Sequence, residues 1–315
     1  MDLETTYKII CENSINENSE FEYQPDLVGK LVKEVLSQSM VSDICNYTPL
    51  KQPTGYIFGV KPNSNDKIEI IREMIDAEDH IKISTITKET VDDIYNQFKE
   101  QAGTDLLVSI LKRDIALEQD KNVIEFMNKI ATVIDPVDVT VSNIEAGQRY
   151  IETIIDMSII KMATNLKTNM SGFIVATPKI AALLLRAFSA EQVEHRNKMI
   201  GYVGSLGERD LYVDYWSKDE DYVLVGINSK DDLKGVFFCP YDVGINYSKE
   251  FLTGSNVVRI NNRYGIARNP IDNKGEADSV FFVKFGVNLS VEDDDAFNQF
   301  LTSFNNEITP EVDPS

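Results

Sequence analysis

The sequence contains little cysteine and little histidine, and these shortages limit the chemistry that the chain can perform. Its 315 residues include three cysteines and two histidines. Cys11, Cys45 and Cys239 lie far apart and form no CxxC pair. Neither a disulfide framework nor a zinc knuckle is therefore predicted, and this cysteine usage is typical of a reducing compartment. A Ser-His-Asp or Cys-His catalytic site would have to use His80 or His195.

Basic residues and long apolar runs are also scarce. The chain has 31 Lys and Arg against 51 Asp and Glu, a formal net charge of −20. Proteins that bind nucleic acids or anionic membranes through charge present clusters of Lys and Arg, so this balance argues against both partners. No apolar run approaches the length of a transmembrane helix, and the N-terminus, MDLETTYKII, has acidic residues where a signal peptide has basic ones. We expect a soluble protein made in a cytoplasm.

Motifs for catalysis or nucleotide binding are absent from the sequence as well. It contains no G-x-x-x-x-G-K-[ST] and no HExxH. Gly201, Gly204 and Gly207 do not have the G-x-G-x-x-G spacing of a dinucleotide loop, and a strand pattern follows them. We interpret them as a hairpin turn, with a nucleotide- or sugar-binding enzyme as a distant alternative. The segment from Asp76 to His80 could hold a cation, but a solvated acidic loop is the favoured interpretation.

The patterns that are present predict an α+β protein with a packed core, since 43% of the residues are apolar. A 3.6-residue period predicts a helical region over residues 88–134 that lies across a sheet. Phe173–Ala176 is predicted to be a strand, with a helix starting at Pro178. Beyond Met199 a period of two predicts strands in RDLYVDYW, DYVLVGI, GVFFCP and SVFFVKFGVNL. The aromatic residues of LYVDYW could stack on a base or sugar, but their alternation favours packing on both faces of a strand.

An extended hairpin is predicted between residues 51 and 87. A Pro-Thr-Gly turn leads into a strand at Tyr56–Val60, NSND forms a polar loop, and HIKISTIT (residues 80–87) forms a second strand. The intervening KIEIIREMIDAED receives no assignment. Residues 1–25 are predicted to form a polar arm, and the chain from Ser290 is an acidic tail. Because an arm and a hairpin cannot bury their own surfaces, we expect them to contact other subunits.

The segment Arg263–Pro270 reads RYGIARNP and shares features with phosphate-binding loops. A glycine lets the backbone approach a ligand, and Arg263 and Arg268 could bind a phosphate. The segment follows a strand, however, and no helix N-terminus is predicted beside it. We favour a structural role, in which Gly265 permits tight packing and the two arginines pair with carboxylates within or between subunits.

Five blocks of sequence resemble, in order, the major capsid proteins of T-even-type tailed phages, which share the Hong Kong 97 capsid fold. The blocks are MVSDICNYTPLKQPTGYIFGVK, LLVSILKRDIALEQDKNVIEFM, SGFIVATPKIAALL, LYVDYWSKDEDYVLVGINSKDDLKGVFFCPYDVGI with NNRYGIARNP, and SVFFVKFGVNL. The first resembles the segment leading into the family's E-loop, the second its spine helix, and the fourth its aromatic segment and RYG-x-x-x-NP ending. The likeness spans residues 26–289.

The resemblance implies a Hong Kong 97-type capsid fold made of six parts. These are an N-terminal arm and lead-in helix (1–50), an E-loop (51–87), a peripheral domain with a spine helix (88–134), an axial domain (135–235), further peripheral-domain strands (236–289) and an acidic tail (290–315). The E-loop would overlap the adjacent subunit. The axial domain would meet its neighbours around a hexamer or pentamer axis.

The resemblance also implies a structural protein rather than an enzyme, with no catalytic residue, cofactor or metal. It would form hexamers and pentamers with itself in a virion capsid assembled in the host cytoplasm. Vertex, portal, scaffold and decoration proteins would be further partners, and the shell would enclose DNA without sequence-specific binding and without a membrane. A pentameric vertex protein or an encapsulin-like nanocompartment shell protein is the alternative. The residues expected to serve assembly or structure are Pro53, Thr54, Gly55, Arg263, Tyr264, Gly265, Arg268 and Pro270.

Overall fold

Two β-sheets, a two-stranded hairpin and one long helix form the framework of the chain. A computed structural model describes residues 8–10, 25–62, 68–86, 102–140, 144–187, 199–207, 209–218, 220–228, 233–249, 255–272 and 279–290. The helices are α1 (Pro25–Gln38), α2 (Val41–Ile44), α3 (Ala102–Ile130), α4 (Ile144–Leu166) and α5 (Pro178–Ala187). The strands are β1 (Asn46–Tyr47), β2 (Thr54–Pro62), β3 (Ile68–Asp76), β4 (Glu78–Ile86), β5 (Thr132–Thr140), β6 (Gly172–Ala176), β7 (Tyr202–Leu206), β8 (Arg209–Val213), β9 (Tyr222–Ile227), β10 (Val236–Lys249), β11 (Asn256–Arg268) and β12 (Phe282–Ser290).

The first sheet has four strands in the order β1-β10-β11-β4. The long antiparallel pair β10–β11 forms its centre, β1 runs parallel to β10, and β4 pairs antiparallel with β11 along its whole length. Helix α3 packs against β4 and β11. One face of the sheet is therefore covered by α3, and the β2–β3 hairpin packs on the opposite face.

Helix α3 confirms the long helix predicted from the 3.6-residue period. Its buried positions recur at intervals of three and four residues, which places one apolar stripe against the sheet; they include Leu111, Ile115, Ala116, Val123, Ile124 and Met127. Residues 88–101 of the predicted helical region lie outside the described residues. The prediction extends too far at its other end, because residues 132–134 belong to strand β5.

The predicted hairpin exists, but the expected pairing of its strands is wrong. Strand β2 pairs with β3, which is the KIEIIREMID segment that received no assignment. The strand predicted at residues 80–87 forms β4 and pairs with β11 instead. Strand β3 carries apolar residues on both of its sides, because Ile71 and Ile75 share a face with the buried Ile57 of β2 whereas Ile70 and Met74 point the other way. The predicted polar loop NSND lies outside the described residues.

The second sheet has six strands in the order β5-β12-β9-β6-β8-β7. The pairs β5–β12 and β6–β8 are parallel, and the other neighbours are antiparallel. Helix α4 packs against β5 and β9, while α5 packs against β6, β7 and β8. The predicted strand and helix around Thr177 are confirmed as β6 and α5.

Residues 236–289, expected as one group of strands, are divided between the two sheets. Strands β10 and β11 lie in the four-stranded sheet, whereas β12 lies between β5 and β9 in the six-stranded sheet. Period-two alternation indicates that SVFFVKFGVNL is a strand but does not specify its partner. Phe282 and Phe285 are fully buried, and Phe282 lies edge-on to Phe173 of β6. This aromatic packing belongs to the core of the six-stranded sheet.

The N-terminal segment is described only at residues 8–10, which form a helical turn. Ile10 is buried in an apolar cluster with Val35 of α1, Ile115 of α3 and Ile260 of β11. This part of the predicted arm therefore packs against its own chain. Residues 1–7 and 11–24 of the arm lie outside the described residues, as does the acidic tail from residue 291.

Candidate assembly surfaces

One face of the β2–β3 hairpin packs on the four-stranded sheet, on the side opposite to α3. Ile57 and Ile75 are buried in a small cluster with Cys239, Tyr241 and other residues of that side. Alternation along a strand places every second side chain on this face. The hairpin is therefore anchored to the body by one row of side chains from each strand.

The other face of the hairpin is apolar and exposed. Tyr56, Phe58, Ile70 and Met74 have exposed fractions of 55, 61, 68 and 57%. Tyr56 lies opposite Met74 across the ribbon, and the Arg72 guanidinium lies 5.5 Å from the centre of the Tyr56 ring. Single exposed apolar residues are ordinary, but a contiguous exposed apolar face indicates a binding surface.

Pro53, Thr54 and Gly55 form the base of this hairpin. The Pro53 carbonyl accepts a hydrogen bond from the Ala77 N–H at 2.8 Å, and Thr54 lies opposite Asp76. A Cβ atom on Gly55 would lie 2.7 Å from Leu50 Cδ2, so glycine allows Leu50 to approach the strand. The Pro-Thr-Gly sequence thus joins the ends of β2 and β3 and lets β2 pack against Leu50.

Tyr264 lies on the α3 side of β11 and is buried. Its ring stacks on His80 with centroids 4.0 Å apart, and its hydroxyl accepts a hydrogen bond from Asn122 Nδ2 at 2.7 Å. Burial raises the pKa of the Tyr264 hydroxyl above its ordinary value. Tyr264 therefore joins β11 and β4 to helix α3 and stays neutral.

Gly265 lies on the opposite side of β11, beneath the hairpin. A Cβ atom there would lie 2.6 Å from the Asp76 carbonyl oxygen and 2.6 Å from Ile75 Cγ1. No side chain fits at this distance without displacing backbone. Gly265 therefore allows the end of β3 to pack directly against β11.

Arg263 pairs with a carboxylate of its own chain. Its Nε atom lies 3.0 Å from Asp79 Oδ1, and its guanidinium lies 5.1 Å from the centre of the Tyr241 ring. Asp79 is at the start of β4, directly opposite Arg263 in the ladder. The pair strengthens the junction of β4 and β11, a contact that requires no phosphate ligand.

Arg268, Asn269 and Pro270 organise the chain after β11. Arg268 Nε lies 2.7 Å from Asp272 Oδ2, and the buried Asp272 also accepts the Val280 N–H at 2.9 Å. Asn269 Nδ2 donates to a backbone carbonyl at 2.8 Å, while its Oδ1 accepts the N–H of Ile271. Pro270 contacts the hairpin, because a Cβ atom on Gly59 would lie 3.1 Å from Pro270 Cβ.

Pro53, Thr54, Gly55, Gly265 and Pro270 thus lie where the hairpin joins the four-stranded sheet, whereas Tyr264 lies on the α3 side of the same sheet. Both arginines pair within the chain, which was one of the two possibilities left open. Sequence reasoning missed the exposed apolar face of the hairpin and the buried carboxylate Asp272. Alternating apolar residues on both sides of NSND were the available signal for the former; nothing local distinguishes Asp272 among 51 acidic residues.

The expected acidic loop at residues 76–80 is absent, because Asp76 ends β3 and Glu78 begins β4, with Ala77 alone between the two strands. His80 Nδ1 lies 3.7 Å from Glu118 Oε1 of α3, and Lys82 Nζ lies 3.1 Å from Glu118 Oε2. These contacts, that with His80 foremost, lower the pKa of Glu118 against the opposing effect of burial. Within the described ranges no three His, Cys, Asp or Glu side chains cluster as metal ligands. His195 lies outside those ranges.

Of the three glycines predicted to form a hairpin turn, only Gly207 lies in the turn, since Gly201 precedes β7 and Gly204 lies within it. Strands β7 and β8 pair antiparallel on either side of Gly207, whose φ of 66° suits a tight turn. Tyr212 is fully buried, and its hydroxyl donates to Asp43 Oδ2 at 3.2 Å. Tyr212 is therefore a core residue, as the alternation predicted. Tyr215 and Trp216 lie beyond the end of β8, and Tyr215 is exposed, so the prediction of packing on both faces of a strand is wrong for these two residues.

Known proteins share this sequence pattern and this fold. The profile of the family described as "Major capsid protein Gp23" matches residues 81–287. The virus-like particle from Pyrococcus furiosus has a TM-score of 0.54 at 12% identity, covering 84% of this chain and 99% of its own. The capsid of Ralstonia phage GP4 has a TM-score of 0.52 at 9% identity, covering 79% and 91%. At such identities the structural likeness concerns the fold alone.

No curated protein sequence matches the chain. None of the helices in the described part combines the length and the hydropathy that a bilayer crossing requires.

Proposed function

The chain belongs to the major capsid protein Gp23 family and has the Hong Kong 97-type capsid fold, and from this membership we propose that it self-assembles as hexamers and pentamers into the icosahedral head of a tailed phage. The head encloses double-stranded DNA. The chain acts there as a structural component of the virion and performs no catalysis.

The exposed apolar face of the hairpin supports this proposal most directly. Burying a large apolar side chain contributes about 1.5–3 kcal/mol. The four side chains Tyr56, Phe58, Ile70 and Met74 therefore provide several kcal/mol at each contact when a neighbouring subunit covers them. Among the residues that the structure describes, the body of the chain covers only the opposite face of this hairpin, so the hairpin serves as the E-loop that overlaps the adjacent subunit.

The two sheets correspond in this proposal to the two domains of a capsid subunit. The four-stranded sheet with α3 as spine helix forms the peripheral domain. The six-stranded sheet with α4 and α5 forms the axial domain, which lies close to the hexamer or pentamer axis. We assign β5 and β12 to the axial domain because both are strands of its sheet.

Phe58→Ser tests the role of the hairpin in assembly. The exposed Phe58 contributes little to the core of its own subunit, so the variant should fold with an unchanged melting temperature. Loss of its burial between subunits should raise the critical concentration for assembly about tenfold or more. Light scattering measures this concentration, and electron microscopy identifies the particles.

Tyr215→Ser is the matched control, because Tyr215 is 54% exposed but lies outside the hairpin. If Phe58→Ser assembles at the same concentration as the wild type, the hairpin does not take part in the contact between subunits.

The DNA content of the particles distinguishes a phage head from a nanocompartment shell. Particles purified from phage-producing cells should protect double-stranded DNA from nuclease, whereas particles that never contain DNA would favour a nanocompartment shell.

A further inference from the structure

A cleft of about 520 Å³ opens between the second half of helix α4 and the first residues of β5 and β12. Its lining is mostly apolar and includes Ile154, Val283 and Met157, and Met157 is 65% exposed. Among the described residues that line the cleft, Lys161 is the only charged one, and it forms no ion pair within the described part of the chain. A concave apolar surface beside one cation suits a segment that carries apolar and acidic side chains together.

The charge of α4 as a whole does not attract acidic segments. The helix contains Glu145, Glu152 and Asp156 against Arg149 and Lys161. Attraction for a carboxylate is therefore confined to the cleft, at Lys161, and apolar contacts must supply most of the stabilisation of any occupant.

The tail that follows β12 has the composition that this cleft requires. Residues 291–315 include no Lys or Arg, and Asp or Glu fills positions 292–295. Phe297, Phe300, Leu301 and Phe304 come next, at the spacing i, i+3, i+4 and i+7 of one side of an amphipathic helix. The match to the family profile ends at residue 287, so membership of the family says nothing about this segment.

The tail also starts close enough to reach the cleft. Ser290 lies beside Thr140 in the parallel pair of β12 and β5. Helix α4 begins at the same end of these strands, because a Cβ atom on Gly147 would overlap the Val139 side chain. From Gly147 to Met157 the helix rises about 15 Å, whereas the six residues 291–296 span about 20 Å when extended. Phe297 can therefore reach Met157.

We propose that the tail, which lies outside the described residues, docks in the cleft beside α4 of its own chain. The apolar side formed by Phe297, Phe300, Leu301 and Phe304 packs on Met157 and the apolar lining, and a carboxylate of the flanking acidic positions pairs with Lys161. Because the tail is attached at Ser290, the contact is intramolecular, with an effective concentration of about a millimolar. The tail of the same chain is thereby favoured over any segment of another molecule. The contact belongs to the single subunit and goes beyond the proposed assembly.

A photo-crosslinking amino acid in place of Met157, in the full-length chain, tests the occupant of the cleft. Unassembled subunits are irradiated as a mixture of unlabelled and nitrogen-15-labelled chains, and crosslinked peptides are identified by mass spectrometry. We expect crosslinks from position 157 to residues 291–315, with both peptides carrying the same label. Crosslinks that mix the labels, crosslinks to other parts of the chain, or an absence of crosslinks would overturn the proposal.

Position 133 is the control site for the crosslinker. Val133 is 71% exposed, and alternation along β5 points it away from the cleft, which Thr132 and Ile134 line. The same crosslinking amino acid in place of Val133 should capture no tail peptide. Equal capture of the tail from positions 133 and 157 would show that the tail has no docking site.

Phe300→Ser, added to the chain with the crosslinker at position 157, tests the apolar contact. Loss of the ring should lower the yield of the crosslink to the tail about fivefold or more. Thr302→Ser is the matched control, since position 302 lies on the other side of the helical pattern from Phe300. Equal yields from the two variants would contradict the apolar contact. Both measurements use unassembled subunits, so a negative result leaves the proposed function intact, and a wild-type chain that never forms particles leaves the docked tail intact.

Discussion

At the scale of single residues, Asp120 of α3 is an uncommon side chain, because its carboxyl group is fully buried. Its Oδ1 accepts hydrogen bonds from the Ser39 hydroxyl at 2.6 Å and the Met40 N–H at 3.0 Å. Its Oδ2 has no hydrogen-bond partner among the residues that the structure describes. Burial raises the pKa of Asp120 to about 8, against the opposing effect of these hydrogen bonds.

We predict that Asp120 makes the subunit less stable as the pH rises. The folded state holds a proton on this carboxyl up to about pH 8, whereas the unfolded chain releases it near pH 4. The contribution of the proton to the free energy of unfolding is complete below pH 4 and is lost progressively as the pH rises to 8. Asp120→Asn cannot ionise, so its free energy of unfolding should fall less between pH 5 and 8. Urea unfolding of unassembled subunits measures the difference, and parallel pH profiles for the two proteins would contradict it.

At the scale of elements, the packing of the hairpin against β11 at Gly265 determines the direction of the hairpin's exposed face. Gly265→Ala should destabilise the subunit by about 1–3 kcal/mol, because the added methyl group must displace both the backbone at Asp76 and the Ile75 side chain. Gly286→Ala is a matched control in β12, where a Cβ atom would make ordinary contacts, the nearest at 3.4 Å from Pro136. Thermal unfolding compares the two variants. Equal losses of stability would show that the close contact at Gly265 is not what fixes the hairpin.

Local patterns predicted several elements correctly and failed where pairing is not local. Pro178 and the glycine at 207 marked α5 and the β7–β8 turn, because capping and turn chemistry depend on neighbouring residues. The pairing of β4 with β11 joins segments far apart in the sequence, and no feature of HIKISTIT specifies that partner. The same limit applies to the residues at the hairpin. Arg263 and Gly265 could be identified from the sequence, but their contacts with Asp79 and Ile75 are visible only in the folded chain.

At the scale of the whole molecule, the charge of −20 predicts that the subunit does not bind DNA by charge. Contacts with DNA gain affinity from neutralised phosphates, and an excess of 20 acidic residues opposes them. We therefore expect no gel shift of linear double-stranded DNA by unassembled subunits at about 150 mM salt. In the proposed head, a wall that does not bind DNA would let the DNA slide as it enters. A salt-sensitive gel shift, or an inner shell surface that proves to be net basic, would contradict this prediction.

The α+β class was predictable for the whole chain because the period of its apolar residues changes from 3.6 to 2 near Met199. The assignment of strands to sheets was not predictable in this way, as β12 demonstrates. Its buried phenylalanines would satisfy the apolar pattern in either sheet. Its actual position depends on the parallel pairing with β5 and the antiparallel pairing with β9, which no single segment encodes.

The central position of β12 also bears on how the protein is synthesised. Strand β12 is the last described strand, yet it joins β5 to β9 within the six-stranded sheet. A nascent chain still attached to the ribosome, with residues 282–290 in the exit tunnel, has an unpaired β5 and an open edge at β9. Truncated products of translation lack the same strand. The fold thereby distinguishes finished from unfinished chains, because only a chain translated through β12 can complete the six-stranded sheet.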